Sequence, residues 1–113
     1  MISHRQADLL DLISPRAYRI SFTHSSDGLK FDEITADSND RDLSFLYQQT
    51  SIAITEVGFK NKKFPSNLSQ SINIVNLIRK KLETNSGIKA YDVAVSESGE
   101  ERCIYFYVEV APK

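Results

Sequence analysis

The chain has 113 residues, 41% of them hydrophobic and 26% charged, with four glycines and three prolines. This is a composition that builds one ordinary core and excludes a disordered or fibrous chain. A net charge of −1 excludes a strongly polyionic chain, and the lone cysteine, Cys103, excludes both an intramolecular disulfide and a multi-cysteine metal site within one chain.

At the start, Ser3-His4-Arg5-Gln6 has the capping-box arrangement, in which a hydroxyl and an amide side chain satisfy each other's backbone amides. It predicts a helix from Ser3 with Leu9, Leu10 and Ile13 as its apolar stripe, ending near Ile13 because Pro15 breaks the ladder and biases Ser14 away from helical geometry. Arg5 and Asp8 interrupt what a secretory signal would need as an apolar stretch, and no run approaches bilayer length. The expected location is the cytoplasm, with no membrane association, and the expected domain is a single one over residues 1–113.

From Ala17 to His24 the period becomes two, with Tyr18, Ile20 and Phe22 on one face and Arg19, Ser21 and Thr23 on the other. Ser25-Ser26-Asp27-Gly28 supplies turn chemistry, and Leu29 and Phe31 resume the alternation, which predicts a hairpin. After the polar stretch Ala36 to Asp42, apolar residues recur at helical spacing through Leu43, Leu46, Tyr47, Thr50, Ile54 and Val57, and Gly58 follows as a C-terminal stop. A helix is expected there. The β-branched Ile52, Thr55 and Val57 also fit a strand over residues 52–57.

A basic connector with Lys60, Lys62, Lys63 and Pro65 leads to Ser66, read as the cap of a third helix carrying Leu68, Ile72, Val75, Ile78 and Leu82 on one face. Arg79, Lys80 and Lys81 fall toward its end, where the dipole favours positive charge, and Asn85-Ser86-Gly87 closes it. Ile88 to Val95 reads as a strand with Tyr91, Val93 and Val95 on one face. A turn follows over Ser96 to Glu101, and Arg102 to Val110 is strongly β-prone. Both faces of that last strand are apolar, which requires a central position or a cover on its second side. The expected fold is α+β: an antiparallel sheet of about four strands in two hairpins, with helices mainly on one face, in the order α-β-β-α-α-β-β.

Catalytic chemistry finds little support in the sequence. Cys103 sits in a dense apolar strand, where a small buried hydrophobe is the usual occupant, and His4 and His24 are the sole imidazoles. Asp37, Asn39, Asp40 and Asp42 crowd together, but Arg41 and Asp42 occupy positions that an EF-hand loop reserves for a ligand and a glycine, so helix capping explains them better. Asp32 and Glu33 are poor acid-base partners because neighbouring strand residues face opposite ways. No metal site, cofactor or nucleotide loop is expected.

Two regions are suited to recognition. Met1 to Val57 carries five basic and nine acidic residues and Gly58 to Lys113 nine and six, so the halves carry −4 and +3. Lys60, Lys62 and Lys63 precede the helix start at Ser66, where free amides and the dipole favour an anion or an acidic partner. The outward face of the last strand presents Cys103, Tyr105 and Tyr107, and tyrosines suit interfaces because they bury apolar area while keeping a polar tip. The expected function is that of a non-enzymatic cytosolic protein that docks to another protein or to a second copy of itself, in the manner of an accessory, inhibitor or immunity-type protein. Nucleic acid is disfavoured, for want of a broad basic surface interleaved with aromatics. As an alternative, two hairpins separated by a helical segment resemble the order of PAS-like sensory domains, with a strand fewer and no motif residues. That resemblance implies a small molecule enclosed between residues 43–57 and the sheet.

Overall fold

The computed structural model describes residues 16–36, 43–58 and 67–110. Its elements are β1 (Arg16–Ser25), β2 (Gly28–Ala36), α1 (Leu43–Val57), α2 (Leu68–Ser86), β3 (Lys89–Ala90), β4 (Ala94–Ser98) and β5 (Glu101–Val110). The α+β class is as expected, and the order among the described residues is β-β-α-α-β-β-β. The helix read over Ser3 to Ile13, the acidic stretch Asp37 to Asp42, and the connector with Lys60, Lys62, Lys63 and Ser66 lie outside the described residues.

The sheet runs β2-β1-β5-β3, with β4 also on β5, and every pairing is antiparallel. β1 and β5 are therefore the two central strands, which answers the requirement that the apolar sequence of β5 imposes. The two hairpins expected from sequence join through them, Arg16 opposite Val110 and His24 opposite Arg102.

The first hairpin turns at Ser26 and Asp27, between the paired Ser25 and Gly28. Gly28 has φ 108°, a left-handed value that a side chain would resist. Along β2 the apolar positions change phase from Leu29 and Phe31 to Ile34, and the register shows why. Ser21 pairs with Glu33 and Phe22 with Phe31, so Asp32 is the extra residue of a β-bulge. The bulge keeps Leu29, Phe31 and Ile34 on the same side of the sheet.

A similar slip corrects the expected strand over Ile88 to Val95. Ala90 pairs with Val108 but Ala94 pairs with Tyr105, so β3 and β4 accommodate one residue more than the β5 segment opposite them. The strand is broken at residues 91–93, the sheet has five strands, and the faces exchange across the break. Val93 packs toward the core, whereas Tyr91 bonds to Glu109 on the other side, so the two do not share a face as the alternation implied.

Both described helices lie on one side of the sheet. α2 contacts β1, β3 and β5, while α1 lies against α2 and β2. Between them and the sheet sit Tyr18, Ile20, Phe22, Ile104, Phe106 and Val108 from the central strands, and Leu46, Ala53, Val75, Ile78 and Leu82 from the helices, all essentially without exposed surface. Phe22 stacks with Phe106 at 6.5 Å between centroids and tilts against Phe31 at 5.4 Å. Side-chain contacts from Lys81 and Asn85 to Glu56 tie the outer turns of the helices together.

Helix α1 spans Leu43–Val57, so the strand reading of residues 52–57 is overturned. Helical spacing lets Thr50, Ala53 and Ile54 meet the core, whereas a strand there would turn alternate residues away from it. The described cap of α2 is Asn67, whose side chain accepts from the Gln70 amide at 3.1 Å, in place of Ser66. Arg79, Lys80 and Lys81 are mid-helix because α2 continues to Ser86, and its last turn holds no basic residue. They therefore cannot offset the dipole, which decays within a turn. Gly87 ends the helix at φ 72°, its amide donating to the Glu83 carbonyl at 2.9 Å.

Candidate functional site

Because side chains alternate along a strand, burying the even-numbered residues of β1 and β5 sends Arg19, Ser21, Thr23, Cys103, Tyr105, Tyr107 and Glu109 to the opposite side. No described helix covers that side, where Tyr107 is 45% exposed, Arg19, Thr23, Cys103, Tyr105 and Glu109 are half-buried, and Ser21 lies beneath its neighbours at 5%. The structure thus brings Cys103, Tyr105 and Tyr107 onto one open face and leaves Lys60, Lys62, Lys63 and Ser66 outside the described residues.

Register assembles the face row by row. Arg19 stands opposite Tyr107 on β5 and Thr35 on β2, Ser21 opposite Tyr105 and Glu33, and Thr23 opposite Cys103 and Lys30. The Arg19 guanidinium lies over the Tyr105 ring, 4.0 Å from its centroid, and donates from Nη2 to Cys103 Sγ at 3.4 Å. Tyr107 meets Tyr105 edge to face at 5.9 Å. These contacts tie Arg19 to the ring and sulfur beside it, with the charge attracted to the negative face of the ring.

At the Val110 end of the same face, the Tyr91 hydroxyl donates to the Glu109 carboxylate, and Lys89 Nζ stands 4.9 Å from the Tyr91 ring. The hydrogen bond with Tyr91, followed by the charges of Tyr91 and Glu109, holds Lys89 protonated above its ordinary range. Three of the chain's five tyrosines therefore face the same way. The sequence alone does not mark out Arg19 or Tyr91. Alternation puts Arg19 on this face, but only the β1–β5 pairing puts it beside Tyr105. The bulge hid Tyr91.

Nucleophilic chemistry finds no base at Cys103 among the described residues. His24 belongs to the buried side, 4% exposed, and the sheet separates it from the thiol. No group of three His, Cys, Asp or Glu among the described residues is placed to hold a metal, and no described helix is long and apolar enough to cross a membrane.

The sensory alternative expects an enclosed space between α1 and the sheet. There Leu46, Thr50 and Ala53 have no exposed surface and fill the interior. A groove of about 340 Å³ lies at the margin, between Phe45, the Gly87–Lys89 segment and Val110. No protein-family model matches the chain, and the searches of curated proteins and of solved structures gave no match either.

Proposed function

We propose that the chain is a non-enzymatic protein-binding module, acting in the cytoplasm as an accessory, inhibitory or immunity-type protein, and that it docks through the open face of its sheet. The observation that carries this reading is the cluster of Arg19, Tyr105 and Tyr107 on the central strands, uncovered by either described helix. Tyrosine and arginine dominate the energetics of protein interfaces because each combines a large apolar area with directional polar groups. Serine, threonine and cysteine around them leave the rings room to meet a partner.

The test is a comparison of variants in the source cell. The tagged full chain should recover a partner that Tyr107→Ser loses and that Lys80→Ala, on the exposed side of α2, retains. Retention of the same partner by Tyr107→Ser and by a Tyr105→Ser, Tyr107→Ser double variant would remove the open face as the docking surface.

A further inference from the structure

Among the described residues the arginine at the centre of the open face has no acidic partner. Among the described residues the ion pairs are Lys81 with Glu56 and Arg102 with Glu97, and Arg19 joins neither. Glu33 and Glu109 share its face, but Glu109 receives the Tyr91 hydroxyl. What Arg19 has instead is the Tyr105 ring beneath it and one sulfur, a weak acceptor, on Nη2. Its Nε is buried and has no partner among the described residues, so an external partner meets the guanidinium at its Nη end. A guanidinium offers five donors in a planar fork that matches a carboxylate, and stacking on an aromatic ring leaves the edge of that fork free.

We propose that Arg19 is the anchor for a carboxylate, an Asp, a Glu or a C-terminus, presented by a protein partner and flanked by Tyr105 and Tyr107. The inference rests on the open face being a docking surface and names the chemistry of what docks there. Tyr105 fixes the guanidinium before binding, so little side-chain freedom remains to be lost when the carboxylate arrives. A nucleic acid is the less suitable anion: Glu33 and Glu109 stand on the same face and offset Lys30 and Lys89 there, and a phosphate backbone requires a continuous basic track, whereas one carboxylate needs one fork.

The experiment selects peptides from a randomised library on the immobilised full chain and compares affinities across variants. The expected peptides carry Asp, Glu or a free C-terminus. Arg19→Gln should weaken them about tenfold or more, and amidating the peptide carboxylate should do the same. Combining both changes should cost little beyond either, since they break one interaction. Arg19→Lys, which keeps the charge and loses the fork, should recover only part of the affinity, and the unfolding midpoints of both Arg19 variants should stay near that of the parent.

Peptides weakened by Tyr105→Ser and Tyr107→Ser but indifferent to Arg19→Gln would keep the docking surface and overturn the carboxylate anchor. Peptides indifferent to all three would overturn both. Two further results would assign the face elsewhere and overturn the proposal: a dimer in sedimentation that Arg19→Gln dissociates, or an oligothymidine that Arg19→Gln releases.

Discussion

The two faces of this sheet are built from adjacent residues of the same two strands and have opposite fates. On β5, Phe106 has no exposed surface while its neighbour Tyr107 is 45% exposed, and on β1, Ile20 is sealed while Arg19 stacks on a tyrosine. The helix-covered face gains its free energy from removing apolar surface from water, at roughly 25 cal/mol per Å². The open face keeps aromatic area in reserve. An alternating strand can therefore hold stability and recognition at successive positions, and substitutions one residue apart should separate them.

The largest expected effect tests that separation. Phe106→Ala removes a ring stacked on Phe22 in the sealed layer and should cost about 3–5 kcal/mol in denaturant unfolding. Tyr107→Ala, one residue on, should cost about 1 kcal/mol or less, because half of the ring already meets water. Equal losses at the two positions would mean that the open face is structural.

The covered face also contains an imperfection, which gives a second and smaller prediction. His24 is 4% exposed, and both its ring nitrogens are buried without a hydrogen-bond partner. Replacing an unsatisfied buried polar group with an apolar one of similar size removes a penalty, so His24→Leu should raise stability by about 1–2 kcal/mol. Thr50→Val, at a buried hydroxyl with no partner, should act in the same direction and be smaller. A loss of stability in both variants would show that these polar atoms are satisfied in solution.

A third prediction concerns the border between the faces, where β2 forms an edge of the sheet. The Ile34 amide donates to the Tyr47 hydroxyl at 3.2 Å, and the Tyr47 ring tilts against Phe31 at 5.8 Å. Tyr47 thus occupies a donor that would otherwise be free to pair with another chain, and the Asp32 bulge disrupts the same edge. Tyr47→Phe should cost about 1 kcal/mol and increase self-association, which light scattering at rising concentration would detect. Unchanged scattering would assign protection of the edge to the bulge.

Much of this was legible in the sequence, for identifiable reasons. The alternation through Tyr18, Ile20 and Phe22 and the helical spacing through Leu46, Thr50 and Val57 follow from geometry that is local to each element. The two bulges were not legible, since an extra residue shows itself only against its partner strand. Asp32 left a trace in the phase change between Phe31 and Ile34, whereas the slip after Ala90 produced a false alternation of Tyr91 with Val93. The open face was half visible. Tyr105 and Tyr107 declared themselves by their spacing, but Arg19 is 84 residues from Cys103 along the chain, and only strand order brings the two together.

The smallest prediction returns to the far end of the open face. Lys89 is held protonated above its ordinary value, first by its hydrogen bond with Tyr91 and then by the charges of Tyr91 and Glu109, with burial opposing them weakly. A lysine whose folded value is raised adds stability that is fully present below its unfolded value, 10.5, and is lost as pH climbs through the folded one. The contribution is therefore intact at neutral pH and fades only in strong alkali. Because the ammonium is fully exposed, solvent and salt screen the interaction. Lys89→Gln should leave neutral-pH unfolding nearly unchanged and flatten the alkaline slope of the unfolding midpoint. An alkaline slope identical in parent and variant would show that the pair does not form in solution.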